Sequence, residues 1–199
     1  MRVTAQLAAF LRLPRPAQRF YLRAATTAIR ARDRWSLKIA VRPLELEKLL
    51  HLANGGPVAE IGTGTGWCAL ALGACGVDVF TCDRIDPPQR RLYWSLVSSE
   101  TADRVCFSRR LGQDPPPKSH SFKLLFIDAS HKPDDTISIF RAWEPAVEPG
   151  GAVAFHDYTP AWPGVAEAIE ALGLEGMAHG ALFVWQKPRE GEQRRPQAM

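Results

Sequence analysis

Glu60-Ile61-Gly62-Thr63-Gly64-Thr65-Gly66 follows a short apolar run and precedes a stretch of helical character, Trp67 to Cys75. Glycines at alternate positions between a strand and a helix let the backbone turn sharply, and their missing Cβ atoms admit a ligand to backbone contact. Taken alone, such a loop also reads as a tight strand-to-helix turn. Its surroundings favour the first reading. Asp83 stands 21 residues after Gly62, at the end of the next apolar run, Val77 to Cys82. A carboxylate there can accept hydrogen bonds from both hydroxyls of a ribose, or it can cap a helix. The pair points to a nucleoside-bearing cofactor.

Outward from the loop, short β-rich runs alternate with helical patterns. Pro57 to Ile61 is followed by Trp67 to Cys75, and Val77 to Cys82 by Pro87 to Glu100. Arg104 to Ser108 and Phe122 to Ile127 follow, then a helix from Pro133 to about Val147, a turn at Pro149-Gly150-Gly151 and a strand from Ala152 to Phe155. Val165 to Leu172 supplies a further helix, and Ala181 to Gln186 the last strand. This βαβ order predicts an α/β fold with a mostly parallel sheet, helices on both faces and a ligand at the carboxyl ends of the strands.

The chain of 199 residues, 46% hydrophobic and 23% charged, fits one soluble domain. No stretch reaches the roughly 20 apolar residues that cross a bilayer, and Leu7 to Leu13 is too short and too arginine-flanked for a leader. A cytoplasmic protein is expected. Cys68, Cys75, Cys82 and Cys106 show no paired spacing, and three lie in apolar runs, which predicts reduced thiols.

The net charge of +4 is unevenly spread. Residues 1–42 hold ten of the 25 Lys and Arg but one acid, Asp33, so they carry +9 and the remainder carries −5. This basic arm shows two amphipathic helical patterns, Thr4 to Leu13 and Pro16 to Arg32, around Pro14-Arg15-Pro16. It reads as a substrate lid or a homodimer element, with binding of phosphates or an anionic membrane surface as the alternative. The domain proper is expected over residues 43–187, and residues 188–199 as a disordered tail.

Spacing separates two cofactor classes. The dinucleotide fingerprint is Gly-x-Gly-x-x-Gly, with its helix aimed at a pyrophosphate. Here the spacing is Gly-x-Gly-x-Gly after Glu60, and Trp67 stands where the last dinucleotide glycine would be. Its indole is expected to obstruct a pyrophosphate, whereas an aminoacyl cofactor needs no such approach. On Glu60-x-Gly62-x-Gly64-x-Gly66 and Asp83, residues 55 to 187 resemble the class I methyltransferases. The resemblance implies a Rossmann-like, seven-stranded sheet and S-adenosylmethionine as cofactor. It implies that Gly62, Thr63, Gly64 and Gly66 face the methionine part, that Glu60 orders the loop or contacts the methionine amine, and that Asp83 binds ribose. Gln113 or Asp114 then corresponds to the adenine contact, although the flanking Arg-Arg-Leu-Gly departs from the usual pattern.

Two neighbouring strand ends carry the remaining chemistry. Leu124 to Ile127 ends in Asp128-Ala129-Ser130-His131, and Ala152 to Phe155 ends in His156-Asp157-Tyr158. This brings Asp128, His131, His156 and Asp157 near a transferable methyl, with Asp128 also beside the cofactor. Asp-x-x-His, Pro-Gly-Gly and His-Asp-Tyr are similar to a subgroup, methyltransferase family 24, that includes sugar and macrolide O-methyltransferases and is more distantly like catechol-type enzymes. In its metal-dependent members the matching positions imply Asp128 and Asp157 as ligands of Mg2+ or another divalent cation, and His131 as general base. His156 stands where many such relatives have a second acid, and an imidazole weakens a site for a hard cation. Metal-assisted and metal-free readings both stay open. Caps at Asp128 and Asp157, and plain hydrogen bonding by His131 and His156, are the bland alternatives.

The expected reaction is in-line attack of a small-molecule oxygen on the sulfonium methyl, where the enzyme supplies proximity, alignment and a base. Histidine suits a base working near neutrality. A nucleic-acid methyltransferase using the arm is the nearest rival. Against it, the fourth strand ends in Asp-Ala-Ser-His rather than the Asn-Pro-Pro-Tyr type of motif that holds a flipped base. A noncatalytic cofactor-binding domain is another alternative, and the glycine spacing disfavours a nicotinamide oxidoreductase.

Overall fold

A computed structural model describes residues 3–118 and 120–191. Four helices precede the first strand: α1 (Val3–Arg12), α2 (Arg15–Arg30), α3 (Arg34–Ile39) and α4 (Pro43–Ala53). Then come β1 (Val58–Ile61), α5 (Trp67–Ala74), β2 (Val79–Asp83), α6 (Gln89–Trp94), α7 (Ser99–Asp103), β3 (Val105–Arg109), β4 (Phe122–Ile127) and α8 (Pro133–Trp143). The chain closes with β5 (Val147–Phe155), α9 (Pro163–Ala171), β6 (Gly176–His179) and β7 (Leu182–Gln186).

The seven strands form one sheet in the order β3-β2-β1-β4-β5-β7-β6. The first five run parallel, and β7 lies antiparallel between β5 and β6. Every residue of β1 is buried, and alternate side chains feed two cores. Leu124 and Phe126 face the helices of one side, while Leu125 and Ile127 face the other. That alternation with both faces covered is why the central strands read as continuous apolar runs. The strand order reverses direction at β1 and β4, and their carboxyl ends open the crevice in which such sheets bind ligands.

The structure alters several boundaries. The segment from Pro87 to Glu100 is two short helices, because the Ser98 hydroxyl caps a new start by accepting from Thr101 N. The helix from Pro133 ends at Trp143. Pro145 lies in a single 3-10 turn, Glu144–Ala146, and β5 begins at Val147, where a helix end was expected. Pro149-Gly150-Gly151 is therefore no turn before a strand. It is an irregularity within β5, where the pairing shifts from Phe122 with Val147 to Leu124 with Ala152. β6 escapes the sequence pattern because three of its four residues are exposed at the sheet edge. The tail expected from residue 188 lies outside the described residues after residue 191.

The arm does not stand apart. Ala17, Phe20, Tyr21, Ala24 and Ala28 bury one face of α2 and join the core formed by α4, α5 and the sheet. Trp67 meets Phe20, Tyr21 and Tyr93 edge-on, at centroid distances of 6.4, 5.8 and 5.2 Å. Asp33, the arm's one acid, caps α3 through Ser36 N and receives the Tyr93 hydroxyl at 2.6 Å. Buried aromatic pairs of this kind add about 1 kcal/mol each beyond their area.

Candidate functional site

The glycine loop leaves β1 and re-enters at α5. Gly62 has φ +106°, and a Cβ built on it would lie 2.0 Å from the Asp128 carbonyl oxygen. That residue is glycine because the end of β4 passes against it. At Gly64, φ is +51° and Ile39 Cδ1 of α3 would sit 2.9 Å from a Cβ, so the basic arm covers the loop. Close approach by the protein itself explains these two glycines.

Asp83 meets the loop directly. Gly64 N donates to its Oδ2 at 2.9 Å and Ile85 N to its Oδ1 at 3.0 Å. Glu60 lies beneath the loop, 1% exposed, and its Oε2 accepts from the Thr81 hydroxyl at 2.5 Å. Thr63 Oγ1 lies 2.6 Å from Thr81 Oγ1, so Glu60 braces the loop through Thr81. Burial pushes the Glu60 carboxyl up to about 7, against the hydrogen bonds from Thr81 and Cys68, and the charges of Asp128 and Asp83 raise it further.

One sequence expectation changes here. Trp67 turns its indole into the aromatic core between α2 and α6, 4% exposed, so it does not block the loop. Of the two adenine candidates, Asp114 accepts from Leu111 N and lies 3.7 Å from Arg110, which engages it in its own loop. Gln113 is exposed, with Nε2 3.3 Å from Asp135 Oδ1.

The ends of β4 and β5 bring together Asp128, His131, His156 and Asp157, as their sequence positions require. Asp128, Ser130, His131 and His156 line a small recess. His131 Nε2 lies 2.7 Å from Asp157 Oδ2, and the ring stacks on Trp162 at 4.0 Å and 16°. His156 Nδ1 lies 2.8 Å from Asp128 Oδ1 and 3.6 Å from Asp157 Oδ2, while its Nε2 is 3.3 Å from Glu45 Oε2. Burial opposes charge on this imidazole. The attraction and hydrogen bond of Asp128, the hydrogen bond of Glu45 and the field of Asp157 outweigh it and hold His156 protonated to about 11. Burial also lifts the Asp128 carboxyl above the usual range, with His156 acting the other way.

Three contributors had no sequence signal of function. Glu45 reads as an acid in the first turn of a helix. Trp162 reads as a loop aromatic. Arg90 sits inside a helical pattern where an arginine is normally solvated, yet it is 4% exposed. It donates to Gly64 O at 3.1 and 2.8 Å and to Ile85 O at 3.1 Å, pairs with Asp86 at 3.0 Å, and lies 3.8 Å over the Phe107 ring. Arg90 thus staples the glycine loop to the exit of β2.

A seven-stranded sheet with one antiparallel insertion, a glycine loop after β1 and an acid ending β2 define the class I methyltransferase fold. The chain belongs to methyltransferase family 24, whose profile, described as a Methyltransferase domain, matches residues 59–158. Among solved structures it is similar to the O-methyltransferase NovP, with 17% identity over 72% of this chain and 79% of that one, and a TM-score of 0.54. It is also similar to CalS11, a TDP-rhamnose 3'-O-methyltransferase of calicheamicin biosynthesis, with 15% identity over 72% and 77% of the two chains, and a TM-score of 0.56. The CcbJ methyltransferase of Streptomyces caelestis shares 22% identity over 58% of this chain, with a TM-score of 0.51, and the chain spans about half of CcbJ's length, 48%. A comparison with curated proteins finds no match.

Proposed function

We propose that the protein transfers the methyl group of S-adenosylmethionine to an oxygen of a small molecule, with His131 as the general base. One observation carries the cofactor assignment. Glu45, Asp83, Asp128 and Asp157 are gathered around the loop and the β4 and β5 ends, with a partly charged Glu60 beneath the loop and His156 and Arg90 as cations among them. A pyrophosphate would meet repulsion there, whereas a sulfonium bearing an ammonium meets attraction. Asp83 offers the ribose contact, Gly62, Thr63, Gly64 and Gly66 frame the methionine part, and Gln113 faces the adenine.

In this reading the substrate hydroxyl enters beside Asp128 and His131. Its oxygen forms the bond to the methyl carbon as the carbon–sulfur bond breaks and the sulfur becomes neutral. With Nε2–H donated to Asp157, His131 Nδ1 takes the hydroxyl proton. Asp157 fixes the tautomer and Trp162 fixes the ring plane.

The donor set also bears on a metal. Asp128, His156 and Asp157 each offer one ligand atom, all within 4.8 Å of one another. Two carboxylates and one imidazole fit a divalent cation of intermediate hardness such as Mn2+ better than Mg2+. Asp128 and Asp157 would hold it with His156, whose Nδ1 would have to release the proton it otherwise keeps, while its other nitrogen faces Glu45 as an orienting carboxylate. Such a cation would acidify and orient the substrate hydroxyl when bound.

Calorimetry with S-adenosylmethionine, S-adenosylhomocysteine and NAD tests the cofactor. Binding of NAD with no response to the other two overturns the assignment. Methyl-transfer assays over candidate acceptors, with chelator and with added Mn2+, test catalysis and metal use. An acceptor bearing phosphates is the second reading, favoured by Arg15, Arg19, Arg23 and Arg30, which are exposed along α2. A steep loss of acceptor affinity with salt supports it.

A further inference from the structure

Glu45 is the third residue of α4 and is 1% exposed. Its two oxygens are unequally served. Oε2 accepts from Arg42 N at 2.8 Å and faces His156 Nε2 at 3.3 Å. Oε1 is buried and has no hydrogen-bond partner among the described residues. A buried carboxylate oxygen without a donor is costly, and folds keep one chiefly where a ligand or water completes it.

The surroundings say which donor fits. Glu45 meets one nitrogen of His156, the other nitrogen of His156 meets Asp128, and the Asp128 carbonyl packs against Gly62 of the glycine loop. Glu45 therefore reaches the ends of β4 and β5 from the α4 side, in a region already rich in carboxylates. The complementary group is cationic and carries N–H bonds. A sulfonium has charge but no hydrogen to donate, whereas an alkylammonium has three donors. Glu60 is the other carboxylate near this point, and its Oε2 is taken by Thr81 while Cys68 also bonds to it.

Resting on S-adenosylmethionine as the cofactor, we propose that Glu45 is the seat of its α-ammonium group, with Oε1 as the accepting atom. Glu60 then keeps the loop in shape without touching the ligand. The methionine end is held from two sides, by the loop and by the start of α4, so a residue outside the family's glycine motif sets its position.

The test is a calorimetric cycle using S-adenosylhomocysteine and its desamino analogue on the wild type and on Glu45→Gln. The wild type should bind the parent roughly 10- to 100-fold more tightly than the analogue, as expected for a hydrogen bond between charged partners. Glu45→Gln should lose a similar factor for the parent and nothing further for the analogue, whose unchanged affinity also reports an intact fold. Glu45→Asp should fall between. Glu45→Gln with wild-type affinity for the parent, or with both ligands weakened equally, overturns the proposal and leaves the cofactor assignment standing. A wild type that binds neither ligand overturns both.

Discussion

Asp157 Oδ2 and His131 Nε2 lie 2.7 Å apart, and Asp157 reaches that position from a left-handed backbone, φ +54°. A non-glycine residue in this region is strained by about 1 kcal/mol or more, and such strain gathers where geometry matters to function. His131→Ala should lower the methyl-transfer rate by about 10²-fold or more with cofactor affinity nearly unchanged. Asp157→Asn should give a smaller rate loss, since the amide no longer holds the Nε2–H tautomer of His131 as firmly. Loss of cofactor binding with an unaltered rate in either variant would remove His131 from the base role.

Gly62→Ala should destabilise the fold by about 3 kcal/mol or more, because the new methyl meets the Asp128 carbonyl and the backbone there has positive φ. Urea denaturation reads the loss directly. Retained stability would mean that the β4 end can retreat from the loop.

Arg90→Ala should cost about 3 kcal/mol, since it leaves the Gly64 and Ile85 carbonyls and the Asp86 carboxylate without their donor. Cofactor affinity should fall with it, because the staple also sets the loop. Arg90→Lys should recover only part, as an ammonium cannot span those acceptors in one plane.

Stability should fall as the solution becomes alkaline. Glu60 and His156 both have native values raised above their unfolded ones, so each contributes stability fully present below the unfolded value and lost as pH rises through the native one. The loss runs from 4.5 to about 7 for Glu60 and from 6.5 to about 11 for His156. Denaturant titrations across this range should show two limbs, the lower removed in Glu60→Gln and the upper in His156→Asn. A flat profile in the wild type would contradict the burial of Glu60 and the pairing of His156 with Asp128 and Glu45.

Much of this site is written locally. The glycine loop, Asp83, Asp128, His131 and Asp157 all sit at strand ends, and period-2 burial with short turns makes strand ends easy to place. What the sequence hides is what arrives from elsewhere in the chain. Glu45 meets His156 across 111 residues, and Arg90 meets the Gly64 carbonyl across 26, and nothing in composition encodes either meeting. Trp67 shows the limit from the other side. Its position beside the loop was legible, but its rotamer was not, and the aromatic side chains of α2 draw the indole into the core. β6 fails for a plainer reason: an edge strand exposed on three of four residues has no apolar alternation to read.

The shared packing of Phe20, Tyr21 and Trp67 bears on where this chain can be cut or joined. Deleting the first 42 residues would strip the aromatic partners from the helix that follows the glycine loop and bare a hydrophobic patch beside it. A truncation meant to isolate a minimal catalytic core should therefore yield an aggregating fragment, and the arm is best treated as part of the domain in any protein built from this one.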